Sequence, residues 1–257
     1  ITNLSLASGC KLYILPNAEV TLDNNNNFTQ SGIVISINSG GKLILNGNTE
    51  IGYFVKLLNK GTIEVANENS NIKVSSNGQL YNAGTINLTG TLSGENDKSF
   101  IDNYGTITAK NFLLNGNSSM TNAGNINITN QASITSTFAV WRNESGTFTA
   151  KNMEIYGTNL NSFNACKLIV TEYLNMYDCK LVVDAGAYVS CNTLSMNNTR
   201  IELGNEAIFK VSEKATYNYN APTNGIYGTG TKYALLKLKE AALANGLSST
   251  SENIISY

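Results

Sequence analysis

Residues able to do chemistry are sparse in this 257-residue chain, and the gaps are the first constraint. There is no histidine, which removes Ser-His and Cys-His nucleophile pairs and any His-ligated metal. The densest acidic group is Glu95, Asp97 and Asp102, the first two within Gly94-Glu95-Asn96-Asp97-Lys98. Carboxylates in that number suit a hard cation, although the D-x-D-x-D-G spacing of a calcium loop is missing. Residues 103–142 contain no Asp or Glu, and Glu154, Glu172 and Asp178 follow at unlike places in the pattern below. No paired carboxylates for acid/base work on a polysaccharide emerge from this arrangement. The four cysteines, Cys10, Cys166, Cys179 and Cys191, match neither a zinc spacing nor C-x-x-C. They read as free, partly buried thiols packing as small hydrophobes, with a disulfide between neighbouring segments left open.

Aromatic residues offer a different chemistry. Tyr81, Tyr104 and Phe163 stand beside asparagines and out of phase with the apolar positions. An exposed ring can stack on a sugar while neighbouring amides bond its hydroxyls. Trp141 falls in the apolar phase with Leu57, Leu80, Ile101 and Met120, which predicts a core position. No cofactor is implied.

What must position these groups is a repeat. Asn17, Asn38, Asn59, Asn82, Asn103, Asn122, Asn143, Asn164, Asp184 and Asn205 recur at intervals of 19 to 23 residues. A period of that size means a solenoid. Phrases such as Asn82-Ala83-Gly84-Thr85-Ile86-Asn87-Leu88 and Asn103-Tyr104-Gly105-Thr106-Ile107 repeat along it. The asparagine predicts a structural ladder, each amide donating to the next along the stack. The glycine two places on predicts a corner at positive φ. Alternation in Ile63/Val65, Ile86/Leu88, Met153/Ile155, Leu174/Met176, Leu181/Val183 and Ile201/Leu203 predicts strands with one buried face. A leucine-rich repeat has a similar period, but Thr, Asn, Ser and Gly fill the place of its helical segment, and these form helices poorly.

The fold class expected is therefore all-β: a single-stranded right-handed parallel β-helix of about ten coils, with three short strands per coil. At about 4.8 Å per coil the rod is roughly 50 Å long. Residues 1–211 make this domain, with Asn24 to Asn27 bulging as a loop. In 212–257 the repeat breaks: a Tyr/Asn/Gly-rich loop to Thr231 precedes a predicted helix over 233–246. That segment reads as a cap, or as the start of a further module.

Charged residues are 14% of the chain and the formal net charge is −1. No electrostatic footprint for nucleic acid or an anionic membrane exists, and no apolar run is long enough to span a bilayer. The chain starts at Ile1 with no Met or signal segment, so the expectation is a processed or trimmed piece.

The N-x-G-T-I coils resemble the Asn/Gly/Thr-rich right-handed parallel β-helices of bacterial cell-surface proteins, the adhesin and autotransporter-passenger type. They are especially similar to modules of secreted or outer-membrane-anchored proteins of gut Bacteroidetes. The resemblance covers about residues 15–211. It implies an extracellular adhesive or spacer role, with a glycan or a host extracellular protein as partner, and carries no catalytic residues. A β-helical polysaccharide lyase or hydrolase is the alternative, and a structural spacer within a longer surface protein the third reading.

Overall fold

The computed structural model describes residues 1, 4–65, 67, 69–136, 138–157, 161–218, 225–229, 234–238 and 254–256. They form a parallel β-solenoid of about ten turns. One face is an eleven-stranded sheet with one strand per coil, from Lys11–Ile14 through Gln79–Asn82 and Asp97–Asn103 to Gly225–Gly228. The other strands make a sixteen-stranded sheet that wraps the rest of the coil. Here the expected first and second strands often fuse into one bent strand, as in Thr85–Glu95, Asn125–Thr135 and Tyr188–Asn197. The bend is a register shift, for example between Leu88 and Thr91, where a bulge turns the strand without breaking pairing.

The alternating residues behave as expected. Ile86, Leu88, Met153, Ile155, Leu174, Met176, Leu181 and Val183 are all buried, stacked coil on coil in one continuous core. Trp141 is fully buried and meets Phe148 edge-on at 5.4 Å. Asn26–Phe28, expected in a loop, is a short strand with Asn26 buried.

The main corner explains the repeat, and here two expectations are corrected. Six of the ten repeated residues build the ladder: Asn59, Asn82, Asn103, Asn122, Asn143 and Asn164, each fully buried. Nδ2 of each of the first five donates to Oδ1 of the next at 2.7–2.8 Å. Nδ2 also donates to a corner carbonyl of the next coil, such as Asn59 to Thr85 at 3.0 Å. The Oδ1 atoms of Asn59, Asn82 and Asn122 accept from the N–H of Gly61, Gly84 and Gly124. Asn17, Asn38, Asp184 and Asn205 are not rungs. In their coils Ile14, Ile37, Val183 and Leu203 hold the ladder register.

At those rod ends the corner is a four-residue turn, closed by Ala18 N–H to Leu15, Gly41 to Asn38, Ala187 to Asp184 and Ala207 to Gly204. Positive φ occurs there, at Asn17, Gly40, Gly186 and Glu206. In most ladder coils only two residues, such as Ala83-Gly84, Tyr104-Gly105 or Ala123-Gly124, separate the Asn from the next strand, and after Asn143 there are three, Glu144-Ser145-Gly146. One asparagine side chain thus replaces two residues of backbone. An Asx residue suits both corners, as rung, as turn opener at Asn38 and Asp184, or within the turn at Asn17 and Asn205, so spacing alone does not separate them.

The ladder glycines do not take positive φ. They are required by close approach: a Cβ on Gly84, Gly105, Gly124 or Gly146 would overlap the carbonyl oxygen of the preceding corner glycine. Cys166 occupies this place in the last ladder coil. The bond beside it, Lys167 N–H to Gly146, stretches to 3.4 Å against 2.8–3.0 Å in the four coils before. The next corner reverts to the four-residue turn.

Sheet pairing continues past residue 211: Ile208–Asn218 is one strand, and Ala234–Leu238 pairs with it in parallel. The helix expected over 233–246 is therefore corrected over 234–238; its residues from 239 lie outside the described ones. Ala234 and Leu236 are buried while Lys237 is exposed. The open edge of the previous coil supplies backbone partners, and that template overrides the intrinsic helix preference of Ala and Leu. No helix occurs among the described residues, and so none long and apolar enough to cross a membrane.

Candidate functional site

Because the ladder asparagines point inward, the residue before each one points out, and such residues form a row along the eleven-stranded sheet. In register the row reads Tyr81, Asp102, Thr121, Arg142, Phe163. Tyr104 follows Asn103 at the corner and is 53% exposed. Its ring meets Tyr81 at 5.2 Å with a 35° tilt. Two of the three aromatic candidates thus form one platform. Phe163 lies four coils from Tyr81, roughly 19 Å along the rod, and belongs to no common site with it.

Asp102 completes this patch. It pairs in register with Tyr81, and Phe100, exposed, stands two residues before it on the same face. Burial pushes the Asp102 carboxyl up from the ordinary range, against a hydrogen bond from Thr121, and the Glu144 carboxylate pushes it further in the same direction. A half-buried carboxyl flanked by rings can accept from and donate to sugar hydroxyls.

The acidic trio does not assemble. Asn96 takes a φ of 65° at a corner, and this sends Glu95 and Asp97 onto different faces. Glu95 lines a groove of about 350 Å³ with Glu50 and Lys73 on the sixteen-stranded sheet. Asp97 and Asp102 stand near opposite ends of the strand Asp97–Asn103. Among the described residues no group of three or more Cys, Asp or Glu could hold a metal ion. Glu172 pairs with Lys151 at 3.4 Å, and Glu154 stands in register between Ser133 and Asn175.

All four cysteines are free. Burial pushes the Cys179 and Cys191 thiols up to about 12. The unfolded chain ionises them first, so their contribution to stability is whole below the ordinary value of 9.0 and is lost as pH rises towards 12. Urea unfolding between pH 8 and 11 is expected to lose about 1.4 kcal/mol per pH unit per thiol above the ordinary value. The double variant Cys179→Ala/Cys191→Ala should show a shallower slope; an unchanged slope contradicts this.

Two features escaped sequence reasoning although the period could have found them. Tyr156 and Tyr177, 21 residues apart in sequence, stack at 5.1 Å and 9° on the sixteen-stranded sheet. Asn25, Asn48 and Asn71 form an outer ladder at a second corner, with Oδ1 of Asn25 and Asn48 each accepting an N–H of the next coil at 2.9 Å. No protein-family model, curated protein or solved structure matches the chain.

Proposed function

We propose that this chain is a non-enzymatic extracellular rod of the bacterial cell-surface type, which binds glycan through the Tyr81–Tyr104 platform. One observation carries the reading: two tyrosine rings 5.2 Å apart, Tyr81 on the sheet in register with Asp102 and Tyr104 at the adjoining corner. Rings with few rotatable bonds lose little entropy on binding, and the ladder beneath fixes their spacing. The scattered carboxylates favour recognition over cleavage, since both routes of glycoside hydrolysis need two acids facing one bond.

The test is a pull-down on a panel of insoluble plant, fungal and host polysaccharides, with the protein quantified in the bound fraction. Wild type should be retained saturably on at least one. Tyr81→Ala/Tyr104→Ala should weaken that retention at least tenfold, about 1.4 kcal/mol, with an unchanged melting temperature. Retention on none would sink the reading and leave a structural spacer.

A further inference from the structure

The stacked pair Tyr156–Tyr177 lies on another face of the coil, beyond the bulge of the sixteen-stranded sheet. Two outward rows run along the rod there. One reads Thr135, Tyr156, Tyr177, Asn197 and the other Glu154, Asn175, Ser195, in strict register. Between them lies an open groove of about 430 Å³. Tyr156 and Tyr177 are 52% and 40% exposed. Folding alone does not require this arrangement: the pair adds little by stacking in water, and Asn175, Ser195 and Asn197 have no side-chain hydrogen bond among the described residues. That contrasts with Asn59 or Asn48, whose amides are engaged.

We infer that this groove is a second saccharide site, taking an extended, uncharged glycan that runs parallel to the rod, so that one chain holds two glycan strands. The inference rests on the saccharide-binding reading above. Rings supply stacking, and the free amides and hydroxyl supply donors and acceptors. Repetition of the rows at about 4.8 Å per coil offers one set of contacts per coil over about three coils, which suits successive rings of a straight polymer. Charge selects the class: among the described residues Glu154 is the one charged side chain lining the groove, so a uronate or sulfated chain meets repulsion there with no lining cation to offset it. The Tyr81–Tyr104 platform lies on the other sheet, roughly two to three coils away along the axis, near 10–15 Å. One straight glycan cannot follow both faces, which makes the rod bivalent.

Calorimetric titration with cellohexaose, xylohexaose and galacturonate hexamer tests this on the whole chain. Two neutral hexamers should bind per chain. Tyr156→Ala/Tyr177→Ala should reduce this to one, and Tyr81→Ala/Tyr104→Ala should remove the other. Dimers of the same sugars should bind the groove at least tenfold more weakly than hexamers. Glu154→Gln should improve binding of the galacturonate hexamer severalfold and leave folding intact. A stoichiometry of one, insensitive to Tyr156 and Tyr177, overturns the second site while sparing the first. Tighter binding of the galacturonate hexamer than of either neutral hexamer to wild type overturns the assignment of ligand class. Absence of any binding overturns both sites.

Discussion

Replacing Asn103 by alanine should cost about 3–5 kcal/mol of unfolding free energy, among the largest effects of any single substitution in this chain. Asn103 is a middle rung: Asn82 donates to it and it donates to Asn122, both at 2.7 Å. Its amide also reaches the carbonyls of Gly105 and Asn125. Alanine leaves the Asn82 donor and the Asn122 acceptor short of a partner in a dry interior, each worth about 1–3 kcal/mol. The end rung is the internal control. Above Asn59 the register holds Ile37, so no amide donates to it from that side, and Asn59→Ala should cost about half as much. Asn127, exposed and outside the ladder, should tolerate alanine within about 0.5 kcal/mol. Urea unfolding of the three variants at constant m-value measures this ranking. Equal costs at Asn103 and Asn127 would contradict it.

Gly105→Ala should be as damaging, for a different reason. The added Cβ would overlap the Gly84 carbonyl oxygen, and that oxygen is held by the Thr106 N–H at 2.9 Å. Relief requires the coils to separate along a corner that the ladder holds shut. Overpacking usually costs about 1–3 kcal/mol; a clash with backbone that cannot swing aside belongs at or above the top of that range. Gly186 provides the contrast. It sits at φ +70° with nothing near its Cβ, so Gly186→Ala carries only the left-handed strain of about 1–2 kcal/mol. A smaller loss at Gly105 than at Gly186 would show that the corner yields, against the close-approach account. Cys166, with its stretched neighbour bond, marks how far the stack gives before it changes corner type.

The solenoid was legible because its period is carried by buried positions: Ile86/Leu88 and Leu174/Met176 announce strands by alternation, and the 21-residue recurrence stacks them. The chemistry of the corners was harder to read. Asn38 and Asn59 share a spacing yet do different work, one opening a turn and the other spanning a corner with its side chain. Only the register partner, Ile37 opposite Asn59, tells them apart. Local propensity misled at Ala234–Leu238, where an open strand edge decides. The nearness of Glu95, Asp97 and Asp102 in sequence misled as well, since a corner at Asn96 intervenes and chain neighbours end on separate faces. Tyr81 and Tyr104 met because they stand about one period apart. The same logic, applied to Tyr156 and Tyr177, would have found the second pair.

Binding without cleavage is the central claim, and one incubation tests it. The protein is mixed with each polysaccharide that retains it, with and without added calcium, and both bound protein and released reducing ends or unsaturated sugars are measured. The account predicts saturable retention with no product above the blank. Sustained release that disappears in an Asp102→Asn or Asp97→Asn variant would contradict it and identify the rod as a carbohydrate-cleaving enzyme.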